Sequence, residues 1–142
     1  MTVERILSGK GSAVVTIEPD TDLESAARLL IEHRIGAVLA MRGGAIAGVL
    51  SERDIVRAIA ADGAAALAKP VSALMTEEVV TCRRTDSIAE VMGLMTARRF
   101  RHVPVVEEGR LLGIVSIGDL VKERIAQTEH EAAALRDYIS AG

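Results

Sequence analysis

Two short stretches pair a hydroxyl with a carboxylate at one spacing: Ser51-Glu52-Arg53-Asp54 and Ser116-Ile117-Gly118-Asp119. Each lies in a longer repeated string, GVLSERDIVR at 48–57 and GIVSIGDLVK at 113–122. Serine at a helix N-cap with an acidic residue three positions on makes a capping box, which stabilises a helix start by about 1 kcal/mol. The same geometry can also bind a ligand. A helix N-terminus offers unpaired N–H groups and the positive end of the dipole to a phosphate. Serine there adds a hydroxyl donor, and aspartate on the same helix face can accept both hydroxyls of a ribose. Phosphate donors beside a diol acceptor are what a nucleotide requires. Aspartate is one methylene shorter than the glutamate that caps best. Capping alone also leaves the recurring Gly48 and Gly113 unexplained, and a glycine at these strand ends is expected to leave room for the ligand.

The two copies differ around this pair. Copy two carries Arg101-His102 before its second strand, where copy one has Gly36-Ala37. Arg101 and His102 are therefore candidates to neutralise phosphate charge. Copy one instead has Arg53 inside its motif, where copy two has Gly118, so two non-equivalent sites are expected. Other reactive residue types carry less. Cys82 has no base at a readable spacing and reads as a small hydrophobe. His33, His102 and His130 do not cluster at ligand spacings, so no metal is expected. Gly9-Lys10-Gly11-Ser12 departs from P-loop spacing and reads as a flexible turn.

The elements that must position these residues repeat as well. Shifted by 65 residues, the chain aligns with itself without a gap from 14 to 57, as VVTIEPDTDLESAARLLIEHRIGAVLAMRGGAIAGVLSERDIVR over VVTCRRTDSIAEVMGLMTARRFRHVPVVEEGRLLGIVSIGDLVK. Each copy opens with a short β run, Val14–Ile17 or Val79–Cys82. An amphipathic helix follows, marked by Leu23, Ala26, Ala27, Leu30 and Ile31 in one copy and Ile88, Val91, Met92 and Met95 in the other. Two apolar runs then flank Arg42-Gly43-Gly44 or Glu107-Glu108-Gly109, which predicts a hairpin. A last helix begins near Ser51 or Ser116. The fold class is α/β of the α+β type, with two pseudo-symmetric β-α-β-β-α repeats packed into one module. Residues 1–62 form repeat 1, 63–70 a linker marked by Gly63 and Pro70, 71–126 repeat 2 and 127–142 a helical tail. A short apolar element precedes each copy, at Val3–Leu7 and Val71–Met75.

Composition narrows the function. In 142 residues, 17 Lys and Arg face 20 Asp and Glu, a net charge of −3 that offers nucleic acid no basic surface. The only aromatic residues are Phe100 and Tyr138, so stacking platforms for single strands are missing too. No run approaches the roughly 18 apolar residues of a membrane helix. Glu4 and Arg5 interrupt any signal-like stretch, and the single cysteine fits a reducing compartment, so a cytoplasmic protein is expected.

Together VSALMTEEVVT at 71–81, RFRHVPVV at 99–106 and GIVSIGDLVK at 113–122 resemble a tandem CBS-domain protein (a Bateman module), the regulatory unit of IMP dehydrogenase and cystathionine β-synthase. The resemblance covers residues 3–126. It implies a sensor of AMP, ATP or NAD(H) with no enzymatic domain of its own, binding in clefts between the repeats. In one site Asp119 would hold the ribose and Ser116 a phosphate. Arg101 and His102 would stand beside them, with adenine on backbone near Val103 and Pro104 and against Val15 and Thr16. The other site would use Ser51, Arg53 and Asp54 with Val80 and Thr81. The resemblance also implies a homodimer and a downstream protein partner. The competing reading is a ligand-free assembly module whose Ser-x-x-Asp pairs only cap helices.

Overall fold

The structure is a computed structural model and describes residues 1–11 and 14–141. In chain order the elements are α1 (Val3–Lys10), β1 (Thr16–Ile17), α2 (Leu23–His33), β2 (Ala37–Arg42), β3 (Ala45–Ser51), α3 (Glu52–Asp62), α4 (Ile88–Arg98), β4 (His102–Glu107), β5 (Arg110–Ser116) and α5 (Ile117–Ala141). The chain divides into an amino-terminal unit, Ala13–Val80, and a carboxy-terminal unit, Met1–Ser12 with Thr81–Gly142.

In the amino-terminal unit β1 pairs parallel to β2, and β2 pairs antiparallel to β3. The β2–β3 turn needs two left-handed residues, which Gly43 and Gly44 supply at φ 59° and 81°. The carboxy-terminal unit repeats the hairpin with β4 and β5, and its turn places Glu108 and Gly109 at φ 51° and 73°. Bulges fall at Ala40/Met41 and Val105/Val106, at equivalent repeat positions. The first strands are shorter than the apolar runs predict. The amino-terminal one keeps Thr16–Ile17, and its counterpart is reduced to a parallel bridge between Cys82 and Val105.

The helices follow the predicted periodicity and are capped alike. The Asp22 carboxylate accepts from the Ser25 N–H at 2.7 Å at the start of α2, and Ser87 Oγ accepts from the Glu90 N–H at 3.0 Å at the start of α4. Both helices end in a left-handed arginine, Arg34 at φ 55° and Arg99 at φ 58°. Leu23, Ala26 and Leu30 face one core, and Ile88, Val91 and Met95 face the other.

The apolar elements before each repeat are exchanged. Val3 and Ile6 of α1 are buried with Val91, Val103, Val115 and Leu120 in the carboxy-terminal unit. Val71, in a short 3-10 turn, is buried with Leu23, Val38 and Leu50 in the amino-terminal unit. The recurring glycine makes room for these elements. A Cβ on Gly113 would stand 2.6 Å from Leu7 Cδ2, and one on Gly48 would stand 2.6 Å from Met75 Sδ and 2.9 Å from the Thr76 carbonyl. The expected opening for a ligand at Gly48 and Gly113 is therefore filled by a protein side chain.

Two further segments take a defined form. Residues 63–68 form a 3-10 turn with Ala66 fully buried, because the Ala-rich stretch packs against its own core. The predicted tail helix is the continuation of α5, since nothing between Lys122 and Gln127 breaks helical propensity. Gly142 and the Ser12 position of the predicted turn lie outside the described residues. Gly9 and Lys10 form the last turn of α1 and not a flexible turn.

Candidate functional site

Each Ser-x-x-Asp stretch folds as a reciprocal capping box. At the start of α3 the Asp54 N–H donates to Ser51 Oγ at 3.3 Å. Asp54 Oδ2 in turn accepts from the Ser51 N–H at 2.8 Å and the Ser51 hydroxyl at 3.0 Å. At the start of α5 the Asp119 N–H donates to Ser116 Oγ at 3.1 Å, and Asp119 Oδ2 accepts from the Ser116 N–H at 2.9 Å. The first helical N–H is met by the neighbouring strand in both copies: Glu52 N–H reaches the Gly36 carbonyl at 2.9 Å, and Ile117 N–H reaches that of Arg101 at 2.8 Å. The hairpin therefore fixes where each helix starts. The hydrogen bonds described for the two carboxylates fall on Oδ2.

A residue missed in the sequence completes the carboxy-terminal constellation. Lys10 Nζ donates to Asp119 Oδ2 at 2.6 Å and to the Ile114 carbonyl at 2.9 Å. Burial pushes the Asp119 carboxyl up, but the Lys10 hydrogen bond, the Ser116 N–H and the Lys10 charge outweigh it, holding the group below its ordinary value. The signal was present in the spacing of Val3, Ile6, Leu7 and Lys10, which is helical and carries the lysine one turn past the apolar face. Asp54 has no such cation among the described residues.

The remaining predicted residues fall on both units. His102 opens β4 directly opposite Ser116, so Arg101 and His102 lie beside the α5 N-terminus. Arg101 is exposed and His102 half-buried. The Val103 side chain is fully buried and Pro104 is buried with its carbonyl accepting from the Cys82 N–H at 2.9 Å. Thr81 in the same unit is exposed. In the amino-terminal unit Val15 and Val80 are half-buried, while Thr16 and Arg53 are exposed. Ser51, Arg53 and Asp54 thus stand at the end of one hairpin, and Ser116, Asp119, Arg101, His102 and Lys10 at the end of the other.

Cys82 is buried, and its thiol is pushed up to about 12 by burial and then by the Asp86 charge, so it stays protonated and inert. Among the described residues no group of three or more His, Cys, Asp or Glu side chains is arranged to hold a metal ion. None of the described helices is long and apolar enough to cross a membrane.

Comparison with known proteins agrees with the repeat. The CBS domain matches residues 11–61 and again residues 71–126. The CBS domain-containing protein YhcV of Bacillus subtilis is 32% identical over 120 residues, covering 84% of this chain and 83% of YhcV. Among solved structures, the CBS-domain containing protein ATU1752 from Agrobacterium tumefaciens is 47% identical with a TM-score of 0.85, covering 87% of this chain and 99% of that one. The CBS domain pair of protein MJ0100, solved in complex with 5′-methylthioadenosine and S-adenosyl-L-methionine, is 25% identical with a TM-score of 0.79, covering 89% and 98%. With a glycine, a capped helix start and an exchanged apolar element recurring in each half, the chain belongs to the CBS-domain family and carries the domain twice.

Proposed function

We propose that the protein is a regulatory module that binds an adenosine nucleotide and catalyses no reaction itself. Asp119 accepts the ribose hydroxyls in the carboxy-terminal unit, and Asp54 does so in the amino-terminal unit. The observation that carries this reading is the one-sided use of each carboxylate. The described partners of Asp54 and Asp119 meet Oδ2, which leaves Oδ1 able to accept from a diol. Phosphate charge is met by Arg101 and His102 beside Ser116, and by Arg53 beside Ser51. Val15, Thr16, Val80, Thr81 and the backbone at Val103 and Pro104 are the proposed adenine contacts. The MJ0100 pair supports the adenosine part, because both of its ligands carry that nucleoside. AMP, ATP and NAD(H) share it, and the bound state is passed to a protein partner.

The test is chemical denaturation of the full chain with and without AMP, ATP, NAD and S-adenosylmethionine. A ligand selective for the folded state adds about 2.7 kcal/mol at a hundred times its Kd. A shift with any of them supports the reading, and no shift with all four overturns it. The second reading is then favoured by the complete capping boxes: an assembly module in which Ser51, Asp54, Ser116 and Asp119 serve only to start helices.

A further inference from the structure

The starts of α3 and α5 match in backbone and differ in charge. In the first turn of α5, Ile117 and Gly118 are uncharged and Asp119 is the one acid. Lys10 Nζ stands 2.6 Å from Asp119 Oδ2 and 2.9 Å from the Ile114 carbonyl of β5. Arg101, whose carbonyl accepts from the Ile117 N–H at 2.8 Å, adds a second cation. In the first turn of α3 the acids are Glu52 and Asp54, with Arg53 between them. The place of Arg101 is held there by Gly36, whose carbonyl takes the equivalent bond from the Glu52 N–H at 2.9 Å. With His102 neutral, these side chains give the α5 start one net positive charge and the α3 start one net negative charge.

The segments laid over the two glycines carry the difference further. Leu7 covers Gly113, and Lys10 follows it by three residues in the last turn of α1. Met75 covers Gly48, and the third residue after it is the exposed Glu78. No Lys or Arg lies between Pro70 and Thr81. The reach of Lys10 is set by its helix, since Val3 and Ile6 anchor α1 in the core of the carboxy-terminal unit. Asp119 and Ile114 engage two of the three ammonium protons, which leaves one for a ligand oxygen.

We propose that Lys10 determines ligand specificity: it neutralises Asp119, so that the α5 start prefers an adenosine ligand carrying phosphate, whereas the α3 start prefers one that is uncharged or cationic. The inference rests on the reading that Asp119 and Asp54 accept the ribose hydroxyls. A carboxylate that holds the ribose stands within a nucleotide's length of the 5′-phosphate and repels it. At Asp119 the lysine cancels that repulsion, leaving Arg101 and the α5 dipole to attract the phosphate. At Asp54 the repulsion persists, Glu52 adds to it, and Arg53 offsets only one of the two acids. Near a protein surface one unit charge at such a range changes affinity by about tenfold. A nucleoside feels none of this, and a sulfonium on the adenosine is drawn to the charge that repels phosphate.

Nuclear magnetic resonance titration of the full chain reads the two ends separately, through the backbone N–H signals of Ser51 and Asp54 and those of Ser116 and Asp119. AMP should move the Ser116 and Asp119 signals at a concentration about tenfold below that needed for Ser51 and Asp54. Adenosine should show no such order, and S-adenosylmethionine, with its cationic sulfonium, should reverse it. Lys10→Met should weaken AMP at the α5 start by about tenfold and leave adenosine there within about twofold. Lys10→Arg keeps the charge and should restore AMP. Signals elsewhere in the spectrum confirm that each variant is folded. Equal losses of AMP and adenosine in Lys10→Met would give the lysine a merely structural role and overturn the inference. One AMP-to-adenosine preference shared by both ends of the wild type would overturn it too, while leaving the ribose reading intact. Signals at both ends that move with none of the three ligands would overturn the ribose reading, and the inference with it.

Discussion

Lys10 Nζ and Asp119 Oδ2 lie 2.6 Å apart, joining two residues 109 positions distant in the sequence. The contact ties the end of α1 to the first turn of α5, so a residue preceding the first repeat sets the electrostatics of the second. Asp54 holds the equivalent capping position without a described cation. Two copies of one sequence pattern are thus different in charge.

Replacing Lys10 by Met should destabilise the protein by about 0.5–1 kcal/mol at pH 7, since the pair is partly open to solvent. The folded-state pKa of Asp119 lies below its ordinary 3.8. The unfolded chain therefore takes up the proton first as pH falls. The stabilisation is complete above the unfolded value and disappears as pH drops through the folded value. Denaturant titrations at pH 7 and near pH 3 should show a gap between wild type and Lys10→Met that narrows in acid. A gap independent of pH would mean that Lys10 acts through packing alone.

The two recurring glycines should tolerate substitution unequally. In Gly48→Ala the new methyl meets the Thr76 carbonyl at 2.9 Å as well as Met75, and backbone cannot swing aside. In Gly113→Ala it meets only the end of the Leu7 side chain. Gly48→Ala should cost about 1–3 kcal/mol and Gly113→Ala less, with Leu7→Ala partly relieving the latter. Equal costs in denaturant titrations, or a costlier Gly113→Ala, would contradict the packing described for Met75 and Leu7.

Cys82 should resist alkylation. Its thiol is buried and its pKa is pushed up to about 12, so little thiolate exists at pH 8. Mass spectrometry after iodoacetamide treatment should find the native protein unmodified and the denatured protein fully labelled. Rapid labelling of the native protein would show that the Cys82 region opens readily.

Changing Arg101 and His102 together to Ala should weaken AMP far more than adenosine, which has no phosphate to lose. A charge-assisted hydrogen bond contributes about 1.5–3 kcal/mol, or roughly ten- to a hundredfold in affinity. Equal losses for the two ligands would mean that these residues shape the pocket and do not meet the phosphate.

Much of the fold was legible because each local signal agreed with its neighbour. The Gly43-Gly44 and Glu108-Gly109 turns, the Ser51 and Ser116 caps and the apolar spacing of α2 and α4 are short-range features that a single strand or turn determines. What escaped was long-range. Nothing local to Gly113 says that Leu7 will cover it, and nothing local to Asp119 says that Lys10 will pair with it. The glycine was read as space for a ligand because the exchange of α1 and the Val71 turn joins segments far apart in the chain. Likewise, nothing local to the alanines at 64–66 says that Ala66 will be buried, because burial of small residues leaves no periodic mark. The capping geometry of the two Ser-x-x-Asp pairs followed from their spacing alone.

The ribose contact is tested most directly without altering the protein, because changing Asp54 or Asp119 also removes a cap. Calorimetric titration of the wild-type chain with AMP and with 2′-deoxy-AMP compares ligands that differ by one hydroxyl. Loss of a hydrogen bond to a charged acceptor costs about 1.5–3 kcal/mol, so the deoxy ligand should bind roughly ten- to a hundredfold more weakly. Equal affinities for the two would contradict ribose recognition by Asp54 and Asp119.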